Sequence, residues 1–231
     1  MKVLIQGDCL VEIPKLAQRF RLVLADLPYG ITACDWDTPI DLVKFWEVVK
    51  PILTEDGSVV MFGSQPFTTD LISSNRKMFK YCWIWSKEQR GGGFLNSKKR
   101  PLSYHEDICV FQKKLWYNPQ MIKGKKHTIN SEVRKKASVY GKVNIKLRYE
   151  TDLWYPITIL SYRKITHGHH PTEKPTGLLE YLIKTYTNEE DWVLDPTMGS
   201  GSCGVACRNM NRNFVGIELD ATYFQICQGR V

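Results

Sequence analysis

Two short stretches of this chain combine residue types that could act on a ligand. The first is Asp195-Pro196-Thr197-Met198-Gly199-Ser200-Gly201-Ser202-Cys203-Gly204, in which Gly199, Gly201 and Gly204 spell G-x-G-x-x-G. Glu218 follows Gly199 by 19 residues. Such glycines permit a tight turn and close approach of the backbone to a ligand, and an acid at that distance can take ribose hydroxyls. The pattern points to an adenosine-containing cofactor. Asp195 narrows the class: a carboxylate opening the loop would repel a pyrophosphate but suits a cation such as S-adenosylmethionine, with its ammonium and sulfonium. The second stretch, Asp26-Leu27-Pro28-Tyr29-Gly30, joins a carboxylate, a proline-stiffened turn and a flat aromatic. Pro, Gly and Asp are also ordinary turn residues, so alone it reads at least as well as a strand-ending turn.

Both stretches follow apolar runs that read as strands. Seven such runs, at 3–6, 22–25, 58–62, 81–85, 107–111, 192–194 and 214–218, are rich in β-branched and aromatic residues. Several are continuously apolar, as parallel strands covered on both faces are. Between them, Leu42, Phe45, Trp46 and Val49 recur at helical spacing, as do Leu178, Leu179, Leu182, Ile183 and Tyr186. Strands alternating with helices predict a doubly wound α/β sheet, with sites at the carboxyl ends of strands. Only 13 residues follow Glu218. The rest of a sheet built around the glycine loop must therefore come from the N-terminal side, a circularly permuted order.

The segment 112–165 interrupts the alternation and is expected to be an insert, between a part at 1–111 and a part at 166–231. From Lys113 to Glu150 there are eleven Lys/Arg and two acids, a local net of +9 in a chain whose total is +8. Trp116, Tyr117, Tyr140 and Tyr149 lie among these charges. Basic residues with interleaved aromatics suit a phosphate backbone and unstacked bases; a solvated face fits the charge equally well. Lys123, Lys125, Lys126, Arg134, Lys135 and Lys136 are the candidate nucleic-acid contacts.

The 231 residues are 43% hydrophobic and 24% charged, an ordinary globular composition. No apolar run reaches the roughly 20 residues of a membrane span, so no membrane partner is expected. Asp8 comes too early for a signal peptide, and seven cysteines without a C-x-x-C pair predict reduced thiols in a cytoplasm. His167, His169 and His170 lack a second ligand cluster, and no metal is expected.

Taken together, these motifs resemble the amino-methyltransferases that methylate exocyclic amines of DNA bases. Asp26-Leu27-Pro28-Tyr29 is similar to their (Asp/Asn/Ser)-Pro-Pro-(Tyr/Phe) signature, with Leu27 where Pro is usual. Further matches are Gly7-Asp8, His170-Pro171-Thr172-Glu173-Lys174-Pro175, Asp195-Pro196 with Gly199 and Gly201, and Gly216-Ile217-Glu218. The cofactor loop has Thr197 where the family often has an aromatic or small residue. The order of tetrapeptide, basic insert and cofactor loop is similar to that of the β group.

The resemblance implies a Rossmann-like methyltransferase sheet of about seven strands with a basic target-recognition insert. It implies S-adenosylmethionine as cofactor and double-stranded DNA as partner. Asp26 and the Leu27 carbonyl would accept hydrogen bonds from the target amine, Pro28 would shape the turn, and Tyr29 would stack on a flipped-out base. Asp8, Cys9, Thr172, Lys174, Asp195, Pro196, Gly199, Gly201, Ser202 and Glu218 would form the cofactor pocket. Adenine N6 is preferred over cytosine N4, because the family's cytosine enzymes more often begin the tetrapeptide with Ser. A homodimer and a cognate restriction enzyme are candidate partners. The rival readings are an RNA or protein amino-methyltransferase, a nicotinamide oxidoreductase, and a DNA-binding module without catalysis.

Overall fold

The computed structural model describes residues 1–30, 38–88, 97–131, 147–166 and 168–231. They form two compact units, Met1–Asn118 with Thr158–Val231, and Pro119–Ile157.

The first unit holds the strands β1 (Lys2–Gln6), β2 (Phe20–Ala25), β3 (Leu53–Gly63), β4 (Phe79–Ser86) and β5 (His105–Gln112). The hairpin β6 (Ile122–Ser131) and β7 (Leu147–Trp154) makes the second unit, and β8 (Ile159–Ser161), β9 (Trp192–Asp195) and β10 (Asn213–Glu218) return to the first. The large sheet has the order β1-β10-β9-β2-β3-β5-β4-β8. Every strand is parallel to its neighbours except β5, which is antiparallel to both β3 and β4. All seven expected strands are present, and the three-residue β8 adds an eighth.

Side-chain alternation divides the core in two, because successive residues of a strand face opposite ways. Leu22, Leu24, Val60 and Phe62 pack with Leu178, Leu182 and Ile183 of α4 (Thr176–Tyr186) and Ala206 and Cys207 of α5 (Ser202–Asn209). Val23, Ala25, Val59 and Met61 pack with Phe45, Trp46 and Val49 of α2 (Leu42–Val49) and Leu71 of α3 (Phe67–Ser74). Helices therefore cover both faces, as the alternating pattern requires. Three short helices start on aspartate caps. Asp8 accepts from Leu10 N at 2.8 Å before α1 (Cys9–Glu12). Asp41 accepts from Val43 N at 2.9 Å before α2, and Asp220 from Thr222 N at 2.7 Å before α6 (Ala221–Arg230). Each such cap contributes about 1 kcal/mol. Among the described residues no helix is long and apolar enough to cross a membrane.

From β2 the sheet grows one way through β3, and from β9 it grows the other way through β10 to β1. Neighbouring β2 and β9 thus flank the point where the order reverses, which is where open α/β sheets bind ligands.

In the second unit β6 and β7 pair antiparallel from Ile122↔Trp154 to Ser131↔Leu147, with a register shift between Lys123 and His127. The His127 ring stacks on Trp154 at 4.0 Å, and Trp154 Nε1 donates to the Lys125 carbonyl at 3.1 Å. Lys123, Lys125 and Lys126 are exposed on β6. Arg134, Lys135, Lys136 and Tyr140 lie outside the described residues.

Candidate active site

A cleft of about 1330 Å³ opens at the carboxyl edge of the parallel strands. The four residues of the tetrapeptide line it, together with Asp8, Cys9, Thr172, Lys174, Asp195 and Pro196, and with Gly199, Ser202 and Glu218. Gly201 lies off its wall. A Cβ there would fall 2.6 Å from Cys227 Sγ, and its φ is +85°. Glycine at 201 thus serves the left-handed turn that starts α5 and the packing of α6 against it. Gly199, with φ +52°, has room for a Cβ; its N–H points at Glu218 Oε2, 2.8 Å away.

The glycine loop is pinned to β10. Glu218 Oε1 accepts from Asp220 N at 2.8 Å, and Met198 N donates to the Ile217 carbonyl at 2.9 Å. Both Glu218 oxygens are held by backbone, and a carboxylate has lone pairs left for two more donors. Burial raises the Glu218 pKa, and burial pushes Asp195 up to about 8, with Asp26 and Glu218 adding to the effect. Asp195 accepts a hydrogen bond from Thr197 N at 3.1 Å. Three acids, Asp26, Asp195 and Glu218, converge on one cleft. Burial of Asp195 and Glu218 without a cationic partner among the described residues leaves room there for a ligand's positive charge, which would favour their ionised forms. These carboxylate acceptors fit a cofactor carrying an ammonium, a sulfonium and ribose hydroxyls.

Other candidates already have work inside the fold. Ser202 donates to Glu173 Oε1 at 2.7 Å, which also takes Arg230 at 2.7 Å, while Glu173 Oε2 accepts from His169 N at 2.7 Å. Burial raises the Glu173 carboxyl, but these hydrogen bonds outweigh it and its pKa is lowered. Burial, with Asp8 beside it, pushes the Cys9 thiol up to about 12. His170 packs against Tyr223 at 4.3 Å, and its Nδ1 lies 3.0 Å from the Thr172 hydroxyl.

Asp26 leaves the end of β2 into a dense set of partners. Tyr29 OH donates to Asp26 Oδ1 at 3.0 Å, and the Tyr29 ring stacks on Phe67 at 4.8 Å. Burial and the charges of Asp26 and Glu106 hold the phenol well above its ordinary pKa, so it remains a donor. Lys174 contacts Asp26 Oδ2 and sits 5.0 Å above the Phe62 ring. Burial alone would lower the Lys174 pKa, but Asp26 and Glu106 raise it, so the ammonium is charged.

Glu106 and Lys87, which pair at 2.7 Å, complete this array. Glu106 carries no motif signal. It reaches the cleft because β5 runs antiparallel, so that its beginning, where Trp85↔Glu106 and Gly63↔Asp107 pair, shares an edge with the ends of β3 and β4.

A doubly wound sheet with a glycine loop and an acidic tetrapeptide at its switch point has the architecture of enzymes that bind an adenosine-containing cofactor. The family model of the N6/N4 DNA methylases matches residues 20–229, and the chain belongs to that family, whose methyl donor is S-adenosylmethionine. The chain is 27% identical over 226 residues to the type II methyltransferase M.HpaI of Haemophilus parainfluenzae, covering 91% of this chain and 67% of that protein. It is 26% identical over 249 residues to the DNA adenine methyltransferase YhdJ of Escherichia coli K12, covering 97% and 81%. Its fold is similar to that of the cytosine-N4-specific PvuII DNA methyltransferase, with a TM-score of 0.69, 16% identity, and 99% and 86% of the chains covered.

Proposed function

We propose that this enzyme methylates N6 of an adenine flipped out of double-stranded DNA. The observation that carries the reading is the Asp26 carboxylate at the β2 end, lining the same cleft as Asp195 and Glu218 across the sheet's switch point. An exocyclic amine is a poor nucleophile, because its lone pair is delocalised into the ring. The Asp26 carboxylate and the Leu27 carbonyl would accept its two hydrogens, draw the nitrogen toward tetrahedral geometry and stabilise the positive charge growing on it. Tyr29, braced by Phe67, would offer a face for the base, offsetting part of the few kcal/mol that flipping costs. S-adenosylmethionine, when bound, supplies the electrophilic methyl. Glu218 would hold the ribose hydroxyls and Asp195 would face the cationic end, with the backbone of Gly199 close by.

Adenine is favoured by the aspartate heading the tetrapeptide and by the similarity to an adenine methyltransferase over most of both chains. The type II name of another relative supports a restriction-modification setting with a cognate nuclease. Free thiols at Cys9, Cys82, Cys109, Cys203, Cys207 and Cys227 suit a reducing cytoplasm. The test is to methylate mixed-sequence duplex DNA with the purified protein, digest it and weigh the nucleosides. N6-methyladenine is expected. N4-methylcytosine alone would overturn the choice of base, and no methylated base would overturn the activity.

A further inference from the structure

Lys174 lies between two carboxylates. It is in close contact with Asp26 Oδ2 and stands 3.6 Å from Glu106 Oε2, an ion-pair distance too long for a hydrogen bond. Both side chains are withdrawn from water, Lys174 at 8% exposure and Glu106 at 14%. Glu106 Oε2 is buried and accepts no hydrogen bond, while Oε1 is held by Lys87 at 2.7 Å. A buried acceptor left open beside a buried ammonium costs free energy, and a shift of under 1 Å would satisfy it.

The pairing seen here conflicts with the chemistry. On the proposed reading, Asp26 must stabilise positive charge growing on a base nitrogen. An ammonium on the same carboxylate cancels much of that field and occupies acceptor sites the amine needs. The ammonium cannot simply leave, because it is buried and charged and would lack a counter-ion. Glu106 supplies one within reach.

We propose that Glu106 is a positioning residue that takes the Lys174 ammonium over from Asp26 as the target amine engages. Lys174 then serves as a two-position counter-ion rather than as a cofactor ligand, and Lys87 holds Glu106 in register to receive it. The four charges, two positive and two negative, stay balanced in both positions, so the exchange moves little net charge in a poorly solvated site.

The inference rests on the proposed function, and the experiment separates the two. Steady-state methylation of plasmid DNA is measured for the wild type, Glu106→Gln, Glu106→Asp, Lys174→Met and the double variant E106Q/K174M. Cofactor affinity is followed by calorimetry and folding by thermal melting. E106Q should lower kcat on the order of tenfold to a hundredfold, with KM for DNA and cofactor affinity within about twofold of wild type. Glu106→Asp, which keeps the charge, should recover part of the loss. In the Lys174→Met background E106Q should add less than about twofold, because no ammonium remains to be taken over. An E106Q enzyme with kcat within twofold of wild type overturns the inference. So does an equal E106Q loss with and without Lys174, or a loss accompanied by weaker cofactor binding and a lower melting temperature that Glu106→Asp does not recover. If the wild type itself transfers no methyl to DNA, the functional reading falls, and this inference with it.

Discussion

The Thr197 hydroxyl donates to the Asp26 main-chain carbonyl at 3.1 Å, across 171 residues of sequence. Asp26 follows β2 and Thr197 follows β9, and these strands are neighbours in the sheet. The hydrogen bond ties the tetrapeptide to the cofactor loop at the switch point. The residue proposed to hold the acceptor amine and the loop proposed to hold the donor are thereby fixed to each other. Methyl transfer depends on such positioning, since small misplacements of reacting atoms cost large factors in rate.

Thr197→Val keeps the shape of that side chain and deletes its donor. The lost hydrogen bond should cost about 1 kcal/mol, leaving cofactor affinity nearly unchanged and lowering kcat by about fivefold or more. Single-turnover methylation with calorimetry on the same variant checks this. A purely cofactor-side role for Thr197 would instead appear in affinity.

Asp26→Ala should lower methyl transfer by roughly a hundredfold to a thousandfold, while the cofactor still binds. Folding should survive, because Lys174 keeps Glu106 as a counter-ion. Turnover within tenfold of wild type would remove Asp26 from the chemistry.

Asp195 gives a pH dependence with a defined sign. Its folded-state pKa is about 8, above the ordinary 3.8, with burial the largest cause. The folded protein therefore binds a proton there that the unfolded chain releases above about pH 4, and stability falls as pH rises from about 4 toward 8. A cation facing Asp195 favours the ionised form. Affinity for S-adenosylmethionine should then rise with pH up to about 8, and binding should release a proton below that value. Asp195→Asn should weaken the cofactor and flatten this profile, while raising the melting temperature at pH 9. Calorimetry in buffers of different ionisation enthalpy measures the proton released.

The two glycines of the loop should behave differently. Gly201→Val forces a β-branched residue to φ +85° and sets its Cβ 2.6 Å from Cys227 Sγ. Strain and overpacking together should cost roughly 2–4 kcal/mol and weaken the cofactor indirectly. Gly199→Ala meets nothing nearer than His170 at 3.7 Å and should cost about 1 kcal/mol, from its φ of +52° alone. Urea unfolding of both variants gives the comparison.

What the sequence disclosed follows from how local each signal is. The strands β2, β9 and β10 are short apolar runs that end in Asp26, Asp195 and Glu218, so both element and acid were legible together. The antiparallel course of β5 was not, because a strand covered on both faces reads as the same apolar run in either direction. Glu106 was hidden with it: 80 positions from Asp26, it is brought near that residue by the β3–β5–β4 pairing and bridged to it by Lys174. Lys174 was visible as part of a motif, but its partner was not, since a spacing of 148 residues carries no periodic signal. The strand β8, at three residues, is too short to show a pattern. The hairpin strand β6, Ile-Lys-Gly-Lys-Lys-His-Thr-Ile-Asn-Ser, lacks clean alternation because a register shift breaks its pleat between Lys123 and His127.

That hairpin carries the last prediction. Lys123, Lys125 and Lys126 are exposed within five residues of the same strand, where His127 stacks on Trp154. If they neutralise DNA phosphates, each releases counterions, and log affinity falls by roughly 0.9 per log unit of salt per contact. Replacing all three with Ala should flatten the salt dependence by up to about three contacts' worth and weaken nonspecific binding most at low salt. Cofactor affinity should not change, because the cleft is lined by residues of the other unit. Trp154→Ala acts differently. It removes the ring under His127 and the donor to the Lys125 carbonyl, so the strand itself should loosen and site preference should suffer more than the salt slope. DNA binding across a salt series, for the wild type, the triple variant and Trp154→Ala, separates these effects. An unchanged slope and affinity in the triple variant would mean that the three lysines only solvate the strand and that the phosphates lie elsewhere.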